Sequence, residues 1–433
     1  TKMWGVTAVL DNIANSFPRP TARKTETIIT PDGEDEKPID PDGETSIFVF
    51  KTVADPFVGK MSFFKVMNGE LKRDMTLRNT TTGNTEKMAH IYTIRGKKQT
   101  EVDCLCCGDI GMTAKLNAVN TNDTLTASAE NIVYKKIEFP EPFMTQAIKP
   151  LAKGDEDKIS AGITKLLEED LTTRYQNDAE TKQLLISGIG DIHLDVLVSK
   201  LKNRFGTSVV LEKPKIAYRE TIKKAVEAEG KHKKQSGGHG QYGHVRIRFA
   251  PGENEGLTFT ESVVGGAVPK GFFPAVEKGL QEAMLKGVLA GYPVVNLAAD
   301  LYDGSYHDVD SSEMSFKMAA SLAYKDGLPR ANPVLLEPIG TLMCTVPDDY
   351  VGDVIGDLNK RRGRVLGMEA THGRKGYTTV QAEVPKAEMM DYPIALRAST
   401  QGRGSFTFYF TRYDEVPGNV AQKIIDEAKK AQA

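Results

Sequence analysis

The spacing of apolar residues changes character repeatedly along the chain. Near its start Val6, Val9, Leu10, Ile13 and Phe17 recur at helical intervals until Pro18 and Pro20, which predicts a short amphipathic helix. The adjoining residues offer nothing to cover its apolar face, which suits the last element of a preceding domain. Residues 30–44, TPDGEDEKPIDPDGE, hold seven acids against one Lys, with three Pro and two Gly, a composition that predicts a linker or long surface loop. Residues 1–44 are thereby set apart. Over 45–133 the period falls to two, in IFVFKTV and KMSFFKV, with turn markers at Asn68-Gly69, Thr82-Gly83-Asn84 and Cys107-Gly108-Asp109. Short strands without helices between them suggest a small β-barrel.

Helical and strand periods then alternate. In 140–212 an extended run Phe143–Lys149 precedes a helical face of Ile159, Ile163, Leu166 and Leu167. Strands near Thr172–Gln176 and Gln183–Ser187 follow, then a helix carrying Leu194, Leu197, Val198, Leu201 and Phe205, and a strand Ser208–Leu211. The order β-α-β-β-α-β predicts a ferredoxin-like domain. The same order returns in 333–433: strand Val334–Val346, a helical face of Val351, Val354, Ile355 and Leu358, strands Arg364–Glu369 and Tyr377–Val384, a helix near Ala387–Ala398 and strand Ser405–Phe410. Between them, 213–332 follows another plan, with strands Tyr242–Phe249, Leu257–Val264 and Val295–Leu301 and a helix faced by Val276, Leu280 and Met284. A second helix is expected to begin at Asp310-Ser311-Ser312-Glu313, with Asp310 as its N-cap and Met314, Met318 and Leu322 on its apolar side. The whole reads as a multidomain α+β protein.

Composition narrows the class. At 433 residues, 40% hydrophobic and 26% charged, the chain has room for three or four domains, and a net charge of −2 confines any nucleic-acid surface to a local patch. Three of the four Cys crowd into Cys104-Leu105-Cys106-Cys107, which predicts buried strand filler in a reducing, cytoplasmic setting rather than a disulfide framework. The longest apolar stretch, 287–299, is interrupted by Gly291, Pro293 and Asn296, so no membrane span is expected.

Two Gly-containing loops in 213–332 are the chemically unusual segments. The first, Ser236-Gly237-Gly238-His239-Gly240-Gln241-Tyr242, follows Lys231, Lys233 and Lys234; from Lys223 to Arg248 seven basic residues stand against two acids. Such a patch suits phosphate contacts, with Gly allowing close backbone approach and His239 and Tyr242 able to stack on bases, or else a solvated hairpin. The second, Ser305-Tyr306-His307-Asp308, runs toward a helix start, a place that attracts phosphate. A third basic cluster, Lys360-Arg361-Arg362, ends a short helix, where its cations also complement the helix dipole, so structure alone could explain it. No GxxxxGK[ST] occurs, and the glycines lack the strand and helix of a dinucleotide site. His232, His239 and His244, or His307 with Asp303, Asp308 and Asp310, share no metal-ligand spacing, so neither a metal nor a hydrolytic centre is expected. No catalytic residue can be assigned.

The segments DPFVGKMSFFKVMNGELK, ISGIGDIHLDVLVSKLKNRF, KPKIAYRETI, KKQSGGHGQYGHV, GSYHDVDSSEMSFK, ANPVLLEPI, GDVIGDLNKRRGRVLGMEA and TQGRGSF, in this order, resemble elongation factor G, the bacterial translocation GTPase. The opening GVTAVLDNIANSFPRP resembles the end of that family's GTPase domain. The resemblance implies the second to fifth domains without the motor: a translation-factor β-barrel, a ferredoxin-like domain, a ribosomal-protein-like α/β domain with a left-handed crossover that mimics a tRNA, and a second ferredoxin-like domain. It implies no enzyme activity and no cofactor in this chain, with GTP and Mg bound by a GTPase domain in cis. The implied partners are the ribosome, through rRNA and ribosomal proteins, and the mRNA and tRNA of the decoding site, met by a monomer. The two loops become the tip of the tRNA-mimicking domain, giving Gly237, Gly238, Gln241 and His307 a place against the codon–anticodon helix, and the resemblance makes Lys231, Lys233, Lys234, Lys360, Arg361 and Arg362 candidate rRNA contacts. The implied function is GTP-dependent translocation. The long acidic linker and the unusual Thr80–Thr100 stretch point to the alternative, a divergent paralogue in ribosome recycling or tetracycline protection.

Overall fold

A computed structural model of the protein describes residues 4–19, 22–55, 58–96, 98–116, 118–152, 154–234 and 240–432. The chain divides into two compact units, Thr1–Asn177 with Leu184–Glu212, and Asp178–Gln183 with Lys213–Ala433.

The first unit begins with α1 (Val6–Ser16), which buries none of its residues. The acidic segment expected as a linker or loop is in large part a hairpin: β1 (Thr25–Thr30) pairs antiparallel with β2 (Gly33–Pro38). Composition misleads here because the hairpin takes its apolar anchor from outside the acidic run. Ile29 N–H donates to Val133 O at 2.8 Å, Lys135 N–H donates to Thr27 O at 3.0 Å, and Ile28 packs beside Phe48, Met67 and Tyr134.

A barrel-like domain follows, with strands β3 (Ser46–Asp55), β4 (Gly59–Asn68), β5 (Glu70–Lys72), β6 (Thr76–Asn79), β7 (Thr85–Lys87), β8 (Ile91–Arg95), β9 (Lys98–Val102), β10 (Cys104–Cys106), β11 (Ile110–Ala114) and β12 (Thr124–Thr126). Eight of them form a sheet in the order β7-β6-β12-β3-β4-β11-β8-β9, while β5 pairs with β10. Alternating positions Ile47, Val49, Phe64 and Val66 meet Leu71, Leu77, Ile91 and Leu125 in its core. The same alternation corrects the expectation for the cysteines. Leu105 takes the inward position of β10, so Cys104 and Cys106 project outward and are exposed.

The next domain has the predicted β-α-β-β-α-β order: β13 (Met144–Pro150), α2 (Glu156–Glu169), β14 (Arg174–Asp178), β15 (Gln183–Gly188), α3 (Asp191–Phe205) and β16 (Val209–Glu212). The sheet order β14-β15-β13-β16 is ferredoxin-like, and Ile159, Ile163 and Leu166 of α2 meet Leu194, Leu197 and Leu201 of α3 over it.

The second unit opens with β17 (Arg219–Ile222), β18 (Val226–Lys234), β19 (Gln241–Pro251) and β20 (Leu257–Glu261), continues through α4 (Phe273–Met284) and β21 (Leu297–Ser305), and reaches α5 (Glu313–Gly327). Strands pair in the order β18-β19-β21-β20, with β20 and β21 parallel. Both helices contribute to one core with Val245, Ile247, Phe249 and Leu301. Strand β18 is hard to see in the sequence pattern because after Val226 its inward positions are the small residues Ala228 and Gly230. Their smallness has a cause: a Cβ on Gly230 would lie 1.9 Å from Ala319 O, and one on Gly243 would lie 2.4 Å from Ser315 O, so α5 rests directly on the hairpin backbone.

Two expectations for α5 are corrected. Its buried side consists of Ser315, Phe316, Ala319, Ala320, Ala323, Tyr324 and Gly327, whereas Met314, Met318 and Leu322 are 60%, 43% and 38% exposed. Helical periodicity is right, but the buried face is the one that carries Phe316 and Tyr324 with Ala319, Ala320 and Ala323 between them, not the one that carries the two methionines and Leu322. The N-cap is Ser312, whose Oγ accepts from Ser315 N–H at 3.2 Å, rather than Asp310.

The C-terminal domain comprises β22 (Pro333–Pro347), α6 (Val351–Lys360), β23 (Arg364–Ala370), β24 (Tyr377–Pro385), α7 (Tyr392–Ser399) and β25 (Ser405–Glu415), followed by α8 (Gly418–Gln432), an addition to the predicted order. Its sheet runs β22-β24-β23 with β25 on β22, and β17 pairs with the start of β22. Glu220 of β17 is buried, and its carboxylate accepts from the backbone N–H groups of Leu289, Ala290 and Tyr292 at 2.8, 2.9 and 3.1 Å, fixing the loop between α4 and β21.

Candidate nucleic-acid interface

Both unusual loops fall at one end of the β18-β19-β21 sheet. The register pairs Lys234 with Gln241 at the hairpin end and His244 with Ser305 on the other side, which brings the second loop beside the first. Ser236, Gly237, Gly238 and His239 lie outside the described residues. The described candidates Gly240, Gln241, Tyr242, Ser305, Tyr306, His307 and Asp308 are brought together here.

Backbone and hydroxyl bonds join the loops. Gly240 N–H donates to Asp310 Oδ1 at 2.9 Å, and Tyr242 N–H donates to Asp310 O at 2.9 Å. Ser311 Oγ donates to Tyr242 O at 3.0 Å and accepts from His307 N–H at 2.9 Å. Asp310, which the sequence pattern casts as a helix cap, thus holds the opposite loop. A Cβ on Gly240 would lie 2.9 Å from the Asp310 carboxylate, so only Gly permits this approach without displacing it.

His307 sits at the edge of this arrangement, its side chain 57% exposed. Its Nδ1 accepts from the N–H groups of Val309 and Asp310, both at 3.3 Å, with Asp310 Oδ2 3.5 Å away, and in the neutral side chain these two bonds place the ring hydrogen on Nε2. The ring is 6.5 Å from that of Tyr242, and Tyr306 stands exposed beside it. The expected phosphate attraction of a helix start is not built here. Residues 308–312 separate His307 from α5, the cap Oγ occupies a first-turn amide, and Glu313 in the first turn places negative charge there.

The charge of the Lys223–Arg248 segment is distributed unevenly. Arg248 lies 3.0 Å from Glu227 and 3.6 Å from Asp300, and Arg246 lies 3.8 Å from Glu229 and 3.4 Å from Asp303. The outward face of the sheet is therefore neutralised along its length by acids of β18 and β21. Lys231, Lys233 and Lys234 are exposed and make no ion pair among the described residues, although Lys231 Nζ is 5.9 Å from the Tyr242 ring centre. Positive charge is thus concentrated beside the joined loops.

The third cluster is different. Arg361 bonds Asp357 at 2.7 Å, Glu388 O at 2.7 Å and Asp391 at 2.6 Å, and its guanidinium lies over the Tyr392 ring. Arg362 grips both oxygens of buried Glu337 and also bonds Glu388. With side chains only 12% and 25% exposed, these two arginines brace the C-terminal domain, a role that accounts for them without rRNA. Lys360 remains exposed. Among the described residues no group of three or more His, Cys, Asp or Glu is placed to hold a metal ion.

Family models match nearly the whole of this arrangement. They are elongation factor G domain 2 over residues 44–128, domain III over 139–213, domain IV over 214–332 and the elongation factor G C-terminus over 334–424. The crystal structure of a protein from Thermus thermophilus is similar at 37% identity and a TM-score of 0.75, covering 98% of this chain and 61% of that one. The joined loops and the three lysines all fall in the part matched by domain IV.

Proposed function

The chain belongs to the elongation factor G family, and on that premise we propose that it is the ribosome-binding portion of a translation factor that promotes GTP-dependent movement of mRNA and tRNA. The observation that carries this reading is the end of the domain matching domain IV, where two loops are bonded together beside three exposed lysines while the flank of the same sheet is neutralised. That end meets RNA: the lysines contact phosphates, and the Tyr242 and His307 rings with the Nε2–H of His307 face bases or sugar hydroxyls. GTP and Mg belong to a GTPase domain of the longer parent.

Ribosome binding by the chain as a function of salt tests the interface. Affinity is expected to fall steeply as salt rises, and replacing Lys231, Lys233 and Lys234 with Gln should flatten the slope by roughly one unit for each phosphate no longer neutralised. Salt-independent binding would overturn the reading. Whether the parent translocates or recycles is decided by repeated rounds of peptide elongation with the full-length factor, in which His307→Ala is expected to slow each round.

A further inference from the structure

Beneath the tip a chain of side-chain hydrogen bonds crosses three strands. His244 Nε2 lies 2.9 Å from Glu229 Oε1 of β18, His244 Nδ1 lies 2.7 Å from Ser305 Oγ of β21, and Ser305 Oγ lies 2.7 Å from the Tyr242 hydroxyl. The sequence alone marks His244 only as a conceivable metal ligand. We propose that His244 is a positioning residue for the tip, acting through Ser305 to hold the Tyr242 ring in its place beside His307; this rests on the reading of the tip as an RNA-facing surface.

Donor and acceptor directions fix the roles along this chain of bonds. The Glu229 carboxylate only accepts, so the neutral imidazole carries its hydrogen on Nε2 and presents a bare Nδ1 to Ser305. Ser305 then donates to Nδ1, and its remaining lone pair accepts the Tyr242 hydroxyl. Every group has one consistent role, and the Tyr242 hydroxyl is spent inward. Tyr242 is therefore offered to a ligand as a ring with a fixed plane, not as a hydrogen-bond donor. Its main chain is tied independently, through Asp310 O and Ser311 Oγ, so the relay governs the side chain while the loop junction stays closed without it. His244 itself is only 12% exposed and cannot be the contacting group.

The chain labelled with 3-fluorotyrosine tests this, the Tyr242 fluorine signal being identified by its loss in Tyr242→Phe. His244→Gln keeps a group near Nε2 but removes the acceptor facing Ser305, whereas His244→Asn places a carbonyl oxygen near Nδ1. The expected result is that Ser305→Ala and His244→Gln shift and narrow the Tyr242 signal while His244→Asn and the control Arg246→Gln leave it near the wild-type position. Binding to ribosomes at low salt should weaken roughly three- to tenfold in Ser305→Ala and His244→Gln, and no further in the double variant, because both break one relay. An unchanged Tyr242 signal in Ser305→Ala, or losses that multiply in the double variant, would overturn the proposal. Absence of ribosome binding by the wild-type chain would instead remove the functional reading, and the fluorine spectra would still decide the role of His244.

Discussion

Arg362 holds both carboxylate oxygens of Glu337, at 2.5 and 2.9 Å, in a site where Glu337 is only 2% exposed. The hydrogen bonds it donates to Glu337 and Glu388 hold the guanidinium above its ordinary range against the opposing effect of burial. Arg362→Ala would strand a buried carboxylate, and we expect a loss of about 3–5 kcal/mol in denaturant unfolding of the second unit. Arg362→Lys keeps the charge but loses the fork and should fall between the two. A neutral Arg362→Ala would return the residue to the candidate RNA contacts.

The reassigned cap gives a sharper contrast. Ser312→Ala should cost about 1 kcal/mol of stability, because Ser315 N–H loses its acceptor at the start of α5. Asp310→Ala should leave the helix intact, seen by circular dichroism, but free Gly240 N–H from the second loop and weaken ribosome binding. Equal helix loss in both variants would contradict the assignment.

Gly230→Ala is expected to be severe for a substitution on a strand. The new methyl would meet backbone atoms of α5, Ala319 O at 1.9 Å and Ala323 N at 2.5 Å, with no flexible side chain to yield. A loss of about 3 kcal/mol follows from such overpacking. The thermal midpoint of the variant measures it, with Gly256→Ala, where nothing lies near, as the comparison.

Acid should weaken the first unit through two neighbouring carboxylates. Burial pushes Glu169 and Asp170 upward, but bonds from Lys200 and Arg204 to the first, and from Thr172 and His193 to the second, outweigh it and hold both below the ordinary range. A depressed folded value means that the stabilisation is complete above the unfolded pKa of about 4 and is lost as pH falls through the folded value. Glu169→Gln should lower stability at neutral pH and flatten its decline in acid, followed by urea midpoints across that window.

At the other extreme, burial pushes the Tyr134 and Tyr218 hydroxyls up to about 12. Here the folded value is raised, so the contribution is complete below about pH 10, where the unfolded tyrosines remain neutral, and disappears as pH climbs through about 12. Tyr134→Phe should flatten the alkaline decline of the first unit, and the tyrosinate absorbance of the wild type should show a late-titrating fraction.

What can be read from sequence depends on how each element is buried. The two β-α-β-β-α-β domains announce themselves because Ile159, Ile163 and Leu166, or Val354 and Leu358, are large residues whose spacing maps directly onto a buried face. Strand β18 stays hidden because after Val226 its inward residues are Ala228 and Gly230, and the face of α5 is misplaced because Phe316, Ala319, Ala323 and Tyr324 do the packing while Met314 and Met318 look outward. At the tip, the loops and lysines are legible as composition. The Glu229–His244–Ser305–Tyr242 relay is not, since it joins residues from three strands whose register no local pattern reports.

The neutralised flank of the β18-β19-β21 sheet has a consequence for approach. With Arg246 and Arg248 each set between acids, the cations that β18 and β19 leave without an ion pair among the described residues, Lys231, Lys233 and Lys234, lie toward the hairpin end of these strands, so a surrounding polyanion pulls on the strands off their centre. An off-centre pull turns the hairpin end toward the polyanion, while the paired arginines along the strands offer phosphates less to hold. Arrangement along the sheet, rather than the number of basic residues, decides which end arrives first.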